Sequence, residues 1–131
     1  MIGLDTNILV RYIAQDDPKQ SPKATRLIES LSIDARGYVG VVSIVELVWV
    51  LTDCYQMTKD GLCEVLETLL RTKEIVVAHA GIVWQALRLF KGGKADFADC
   101  LIERFASSDG CEYLVTLDRD AAKHCGMRLI E

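Results

Sequence analysis

The chain has 131 residues, of which 50% are hydrophobic and 26% charged, and this is sufficient for one domain with a substantial core. Its net charge of −4 argues against a protein that coats nucleic acids with a strongly basic surface. No apolar stretch approaches the ~20 residues of a membrane span, and no basic segment followed by an apolar one marks a secretory leader. The five cysteines are odd in number and form no C-x-x-C pair, which is typical of reduced thiols in the cytoplasm. We therefore expect one cytoplasmic domain spanning residues 1–131.

The first predicted elements are a strand and two helices. Residues 1–4 form a short apolar run typical of a strand, and residues 6–14 place apolar side chains at helical spacing. Asp17 followed by Pro18 predicts the start of a second helix, because Asp is a favoured cap and Pro suits the first helical position.

The middle of the chain continues this alternation. A strand is predicted at residues 38–42, followed by a helix that Ser43 caps and that runs to residue 55. Thr58 is predicted to begin the next helix, whose apolar residues follow the strongest helical pattern in the chain. A third strand is predicted at residues 75–78.

The last part of the chain repeats the pattern: helices at residues 82–90 and 97–107, a strand at 113–116, a short helix at 120–124 and a final strand at 127–130. Such alternation of strands and helices predicts an α/β fold with a mainly parallel sheet.

Asp5 stands where the first strand ends and the first helix begins. Ligands of open α/β sheets bind beyond the carboxyl ends of the strands, so an acid here is a candidate site residue. The alternative is a helix cap, since Asp is a favoured N-cap. We favour the site, because Thr6 could serve as the cap and an unpaired carboxylate in a buried central strand would be costly.

Glu46 has two interpretations that are equally strong locally. Ser43-x-x-Glu46 has the pattern of a capping box, in which the glutamate folds back onto the amide of the cap. A glutamate one turn into a helix that leaves the second strand would also point to the same sheet edge as Asp5. The presence of the other acids favours this second interpretation.

Asp96 and Asp99 are three residues apart and share one helical face. Asp96 directly precedes the apolar run that starts at Phe97, so it is the better N-cap. Asp99 then occupies the third helical position, and we assign it to a metal ion. Asp96 is left as the cap or as a residue outside the metal's direct ligands.

Asp118 ends the fourth strand and resembles Asp5 in its position. We predict it as a ligand, with Thr116 as a polar neighbour and Asp120 as the cap of the following short helix. An ordinary turn stabilised by an Asp side chain would explain Asp118 equally well when it is considered alone.

Four carboxylates without a histidine or cysteine partner suit a hard cation, Mg²⁺ or Mn²⁺, better than zinc. Such a site is typical of phosphodiester hydrolysis. The predicted ligands are Asp5, Glu46, Asp99 and Asp118.

Four motifs resemble those of the PIN-domain nucleases, and most closely the virulence-associated protein C (VapC) toxins of type II toxin–antitoxin pairs. They are Leu4-Asp5-Thr6-Asn7-Ile8-Leu9, Ser43-x-x-Glu46-Leu47, Asp99-Cys100-Leu101-Ile102 and Val115-Thr116-x-Asp118. The resemblance spans the whole chain, and it implies a three-layer α/β/α sandwich around a parallel sheet of order 3-2-1-4-5. Strands two, one and four would then be neighbours, and the acids would converge on one edge.

The resemblance also implies a function. The chain would be a Mg²⁺-dependent endoribonuclease, in which Mn²⁺ substitutes, with Asp5, Glu46, Asp99 and Asp118 as catalytic metal ligands. Secondary polar roles would fall to three further residues, Asp96, Asn7 and Thr116. The partners would be an RNA substrate and a small cognate antitoxin, and the toxin would form a homodimer.

Three other interpretations compete with this one. A haloacid-dehalogenase-like phosphatase also places an acid after its first strand, but it needs a second Asp two residues later, where this chain has Asn7. A phospho-acceptor receiver domain would have its acceptor Asp after the third strand, where this chain has His79. The third alternative is a catalytically silent PIN-like module that only binds partners, and the intact acids argue against it.

Overall fold

The computed structural model describes every residue from Met1 to Glu131. The chain divides into two compact units, Met1–Ala78 and His79–Glu131. Helices and parallel strands alternate in both, which confirms the predicted α/β class. None of the helices is long and apolar enough to cross a membrane.

The first unit contains a three-stranded parallel sheet in the order β1-β2-β3. Gly37 of the middle strand is opposite Ile2 on one side and Ile75 on the other. Its elements are β1 (Ile2–Gly3), α1 (Thr6–Ala14), α2 (Gln20–Glu29), β2 (Gly37–Val39), α3 (Val41–Asp53), α4 (Lys59–Arg71) and β3 (Ile75–Val77).

The second unit contains a two-stranded parallel sheet formed by β4 and β5. Its elements are α5 (Ala80–Gly92), α6 (Phe97–Ser108), β4 (Val115–Thr116), α7 (Arg119–Cys125) and β5 (Arg128–Leu129).

Of the predicted strand order 3-2-1-4-5, the neighbours 3-2-1 and 4-5 are present, whereas strands one and four do not pair by hydrogen bonds. Hydrogen bonds join the strands as β1-β2-β3 and as β4-β5, so each sheet has the predicted neighbours. All strands are shorter than predicted, with two or three residues each. Each of the first four strands is followed by a helix that begins two or three residues after the pairing ends.

The start of α3 corrects the sequence prediction. Val41 and Val42 were assigned to a strand because β-branched residues favour extended structure, and the helix was expected to begin with Ser43 as its cap. The helix instead begins at Val41 with Gly40 as the N-cap residue. The first turn is closed by a hydrogen bond of 3.1 Å from the Ile44 N–H to the Gly40 carbonyl, which places Val41 and Val42 inside the helix.

Each unit has its own apolar core that fixes the helix starts. In the first unit α1 packs against α2 and α3, and Leu9 and Leu47 are fully buried. In the second unit α5 packs against α6, and the Phe90 and Phe97 rings meet edge to face with their centroids 5.6 Å apart. Phe97, the first residue of α6, is 1% exposed, so the first turn of this helix is anchored in the core.

Candidate active site

Asp5 lies between β1 and α1 and acts as the cap of α1. Its Oδ1 accepts a hydrogen bond of 2.8 Å from the backbone N–H of Thr6, and the residue is in the N-cap position with extended backbone. The side chain is exposed. The prediction that Asp5 occupies a buried position is therefore wrong. Asp5 caps α1 whether or not it also binds a metal ion.

Glu46 lies in α3 and does not form a capping box. Ser43 is inside the helix, because Gly40 is the N-cap. The Glu46 carboxylate instead accepts a hydrogen bond through Oε1 from the hydroxyl of Thr6, at 2.8 Å. Thr6 follows Asp5 directly, so this contact joins the helix start that carries Asp5 to the helix that carries Glu46.

Asp96 and Asp99 occupy the two positions predicted for them at the start of α6. Asp96 is the N-cap, and its Oδ1 accepts a hydrogen bond of 2.8 Å from the backbone N–H of Ala98. Asp99 is the third residue of the helix and is partly buried. Burial raises the pKa of Asp99, and the nearby carboxylates of Asp96 and Asp118 raise it further.

Asp118 caps α7, a role that the sequence analysis assigned wrongly to Asp120. Oδ1 of Asp118 accepts hydrogen bonds from the backbone N–H groups of Asp120 at 2.8 Å and Ala121 at 3.3 Å, and Asp120 lies inside the helix. The hydroxyl oxygen of Thr116 accepts a hydrogen bond of 3.0 Å from the Asp118 N–H, as expected for a polar neighbour.

The predicted site residues thus fall into two sets. Asp5, Asn7 and Glu46 belong to the first unit, where Asn7 is exposed in the first turn of α1. Asp96, Asp99, Thr116 and Asp118 belong to the second unit. The first two lie at the start of α6, Thr116 ends β4, and Asp118 caps α7.

The oxygen atoms of these residues suit a hard cation. Burial first, and then the charges of Asp96 and Asp118, disfavour the ionised form of Asp99 and raise its pKa, and a bound cation would neutralise that charge. No group of three or more histidine, cysteine or acidic side chains is arranged to hold a metal ion by itself. Mg²⁺ does not require one, because it usually keeps several waters and takes only one or two protein carboxylates together with substrate phosphates.

The hydrogen bond from Thr6 to Glu46 was not predicted from the sequence. Thr6 is one of only two polar residues that are buried, the other being Ser21. The available signal was its place on the inner face of α1, where Thr6, Leu9 and Val10 are all buried at i, i+3 and i+4. A polar residue on such a face needs a hydrogen-bond partner.

A separate feature of the first unit is an apolar cavity of about 350 Å³. Its walls come from α1, α2, α4 and the start of β3, and most of the side chains that line it are apolar. They include Leu9, Tyr12, Ile13, Ile28, Val65 and Leu69.

Comparison with known proteins gives three findings. A profile of the PIN domain family matches residues 2–126. The "VapC ribonuclease" of Aquifex aeolicus (strain VF5) is 25% identical over 116 residues, which cover 88% of this chain and 86% of that protein. The crystal structure of FitAcB from Neisseria gonorrhoeae aligns over 100% of this chain and 97% of its own, with 18% identity and a TM-score of 0.38.

Proposed function

The chain belongs to the PIN domain family, and from this premise we propose that it is an endoribonuclease that hydrolyses RNA phosphodiester bonds with Mg²⁺, as the toxin of a toxin–antitoxin pair. The observation that carries the proposal is the position of the partly buried Asp99 near two further carboxylates, Asp96 and Asp118, in a chain of this family; burial first, and then these two charges, raise the pKa of Asp99. The 25% identity with a protein named as a ribonuclease supports the substrate class.

We assign four carboxylates to the reaction: Asp5, Glu46, Asp99 and Asp118. Two of them, Asp5 and Asp118, are fixed by hydrogen bonds from backbone N–H groups at the starts of α1 and α7, and Glu46 is held by the Thr6 hydroxyl. Carboxylates that are already ordered need little reorganisation when the substrate binds. Asp99 is held in place by its helix and by the buried side chain of Phe97 at the start of that helix.

We propose Asp5, Glu46, Asp99 and Asp118 as the acids that serve Mg²⁺, for which Mn²⁺ would substitute, with one or two of them bound directly to the ion and the others acting through its waters. When bound, such an ion supplies an activated water and stabilises the oxygen that leaves the phosphorus. The protein residues bring negative charge to the cation and orient it, while Asp96, Asn7 and Thr116 serve as secondary polar groups. Thr116 does this by fixing the backbone at Asp118.

The dependence of RNA cleavage on a divalent metal ion tests the proposed function. We expect the purified protein to cleave single-stranded or loop RNA in Mg²⁺ or Mn²⁺ and to lose this activity in excess EDTA, because all of the proposed ligands are oxygen atoms. The assay follows a labelled RNA on a denaturing gel, with Glu46→Gln as the inactive control. Full activity in EDTA, or dependence on zinc alone, would contradict the assignment. Absence of cleavage with either metal would favour a silent binding module.

We further propose a small antitoxin as the protein partner, in the cytoplasm, and a homodimer as the form of the toxin. The apolar cavity between α1, α2 and α4 suits the apolar side chains of a partner segment. Val42 and Trp49 lie on one face of α3 and are 75% and 59% exposed, which suits a contact between two copies of the chain.

A charge placed in the cavity tests the antitoxin proposal. Val65→Glu puts a carboxylate in the apolar wall, and we expect it to abolish copurification with the product of the neighbouring reading frame, because a buried charge without a partner is costly. Ser108→Glu, an exposed position at the end of α6, is the matched control and should leave the complex intact. A stable complex with Val65→Glu would place the antitoxin elsewhere.

A further inference from the structure

The hydroxyl of Thr6 is buried and donates a hydrogen bond to Glu46. Thr6 is 6% exposed and lies on the inner face of α1 beside Leu9 and Val10. A hydroxyl in such surroundings is costly unless it forms a hydrogen bond. Within helices, threonine often bonds to a carbonyl three or four residues earlier, but Thr6 is the first residue of α1, so no earlier turn of the helix exists. Its partner is the Glu46 carboxylate, at 2.8 Å.

The Glu46 side chain needs a contact that fixes its orientation. Its residue is exposed on α3, and a glutamate side chain in that setting exchanges between several rotamers. Threonine has a branched and therefore stiff side chain, and the burial of Thr6 in α1 fixes it further. A hydrogen bond from a fixed hydroxyl to a charged carboxylate is among the stronger kinds, so it selects one orientation of Glu46.

The contact also links two parts of the proposed site. Thr6 donates to Glu46 through its side chain, while its backbone N–H donates to Asp5 at 2.8 Å. Thr6 therefore contacts two carboxylates, that of Asp5 directly before α1 and that of Glu46 in α3. These two acids are separated by about forty residues in sequence.

We propose that Thr6 is a positioning residue that orients the Glu46 carboxylate for RNA cleavage, an inference that rests on the proposed function. Its backbone N–H holds Asp5 in any variant, so the side-chain hydroxyl can be altered separately. Thr6→Val keeps the shape and removes the hydroxyl, whereas Thr6→Ser keeps the hydroxyl. Ser21→Ala is the matched control, because Ser21 is the other buried polar residue, 3% exposed, and its Oγ accepts a hydrogen bond only from the backbone N–H of Asp17.

The first measurement is steady-state cleavage of one RNA. We expect Thr6→Val to lower kcat by about tenfold to a hundredfold, as for other small misplacements of a reacting group, with KM close to that of the wild type. Thr6→Ser should restore most of kcat, and Ser21→Ala should leave it unchanged. Full kcat in Thr6→Val, or a loss in Thr6→Ser equal to that in Thr6→Val, would overturn the proposal.

The second measurement does not depend on activity. In metal-free protein with ¹³C-labelled glutamate side chains, the Glu46 carboxyl resonance is identified by its absence in Glu46→Gln. It should move in Thr6→Val and stay in place in Thr6→Ser and Ser21→Ala. A resonance that does not move in Thr6→Val overturns the inference. Wild-type protein that cleaves no RNA, with a resonance that does move, overturns the proposed function and leaves the contact supported.

Discussion

Asp99→Asn should lower RNA cleavage by more than about a hundredfold, while Asp96→Asn keeps most of it. Loss of a group that only supports a metal ligand typically costs 10- to 100-fold, so we expect the loss of a direct ligand to cost more. Asp96 accepts a hydrogen bond from Ala98 as the cap of α6, and Asn is an equally good cap. The pKa of Asp99 is raised by burial and by Asp96 and Asp118. Neutralisation of the Asp99 charge by a bound cation should therefore stabilise the protein more than at the other acids.

The cleavage rates of the Asp99 and Asp96 variants are compared at saturating Mn²⁺. The control is a variant that loses an acidic residue in the first turn of another helix. Asp60 serves this purpose, because it lies in the first turn of α4 and has no assigned role. Asp60→Asn should cleave at the wild-type rate. If Asp96→Asn were inactive and Asp99→Asn active, the roles of the two residues would be exchanged.

The second large effect is on stability. We expect Mn²⁺ at about a hundred times its dissociation constant to stabilise the wild type by about 2.7 kcal/mol, because it binds only the folded state. For a chain of this size that corresponds to a rise in Tm of roughly 10 °C. Asp99→Asn should melt higher than the wild type without metal at pH 7, and should gain much less from Mn²⁺. Thermal melts of both proteins, with and without Mn²⁺, measure this.

The pH dependence follows from the sign of the pKa change. The pKa of Asp99 is higher in the folded protein than its ordinary value of 3.8, so the folded state binds the proton more tightly than the unfolded state. Its contribution to stability is fully present below pH 3.8 and is lost as the pH rises through the folded pKa. The advantage of metal-free Asp99→Asn should therefore be greatest at neutral pH and vanish near pH 4. An advantage that is constant with pH would show that charge at Asp99 is not the cause.

Local signals in the sequence identify many helix ends correctly. The helix predicted at residues 6–14 has those bounds in the structure, and Thr58, which was predicted to begin α4, directly precedes it as its N-cap residue. Asp96 also caps its helix as predicted. In each case a capping side chain directly precedes the helix, which is a signal within four residues of sequence.

Other features depend on contacts that a local pattern does not contain. Val41 and Val42 have the composition of a strand, yet they form the first turn of α3 after its N-cap residue Gly40. Asp118 and Asp120 are both plausible caps by type, and only the backbone geometry selects Asp118. The Thr6–Glu46 hydrogen bond joins residues from different helices, so no short window of sequence could show it. The positions of Asp5 before α1 and of Asp118 before α7 could be predicted, because the change from an apolar run to a helix is visible locally.

The capping roles of Asp5, Asp96 and Asp118 have a consequence for how descendants of this chain would diverge. Once cleavage is no longer selected, folding alone would still favour an oxygen acceptor at these positions, so Asn, Ser or Thr should replace Asp there more often than apolar residues. Glu46 caps nothing, but its carboxylate accepts the hydrogen bond of the buried Thr6 hydroxyl, so folding should favour a hydrogen-bond acceptor such as Gln at this position as well. An inactive lineage would therefore lose the negative charges of the four positions while it kept polar acceptors at them.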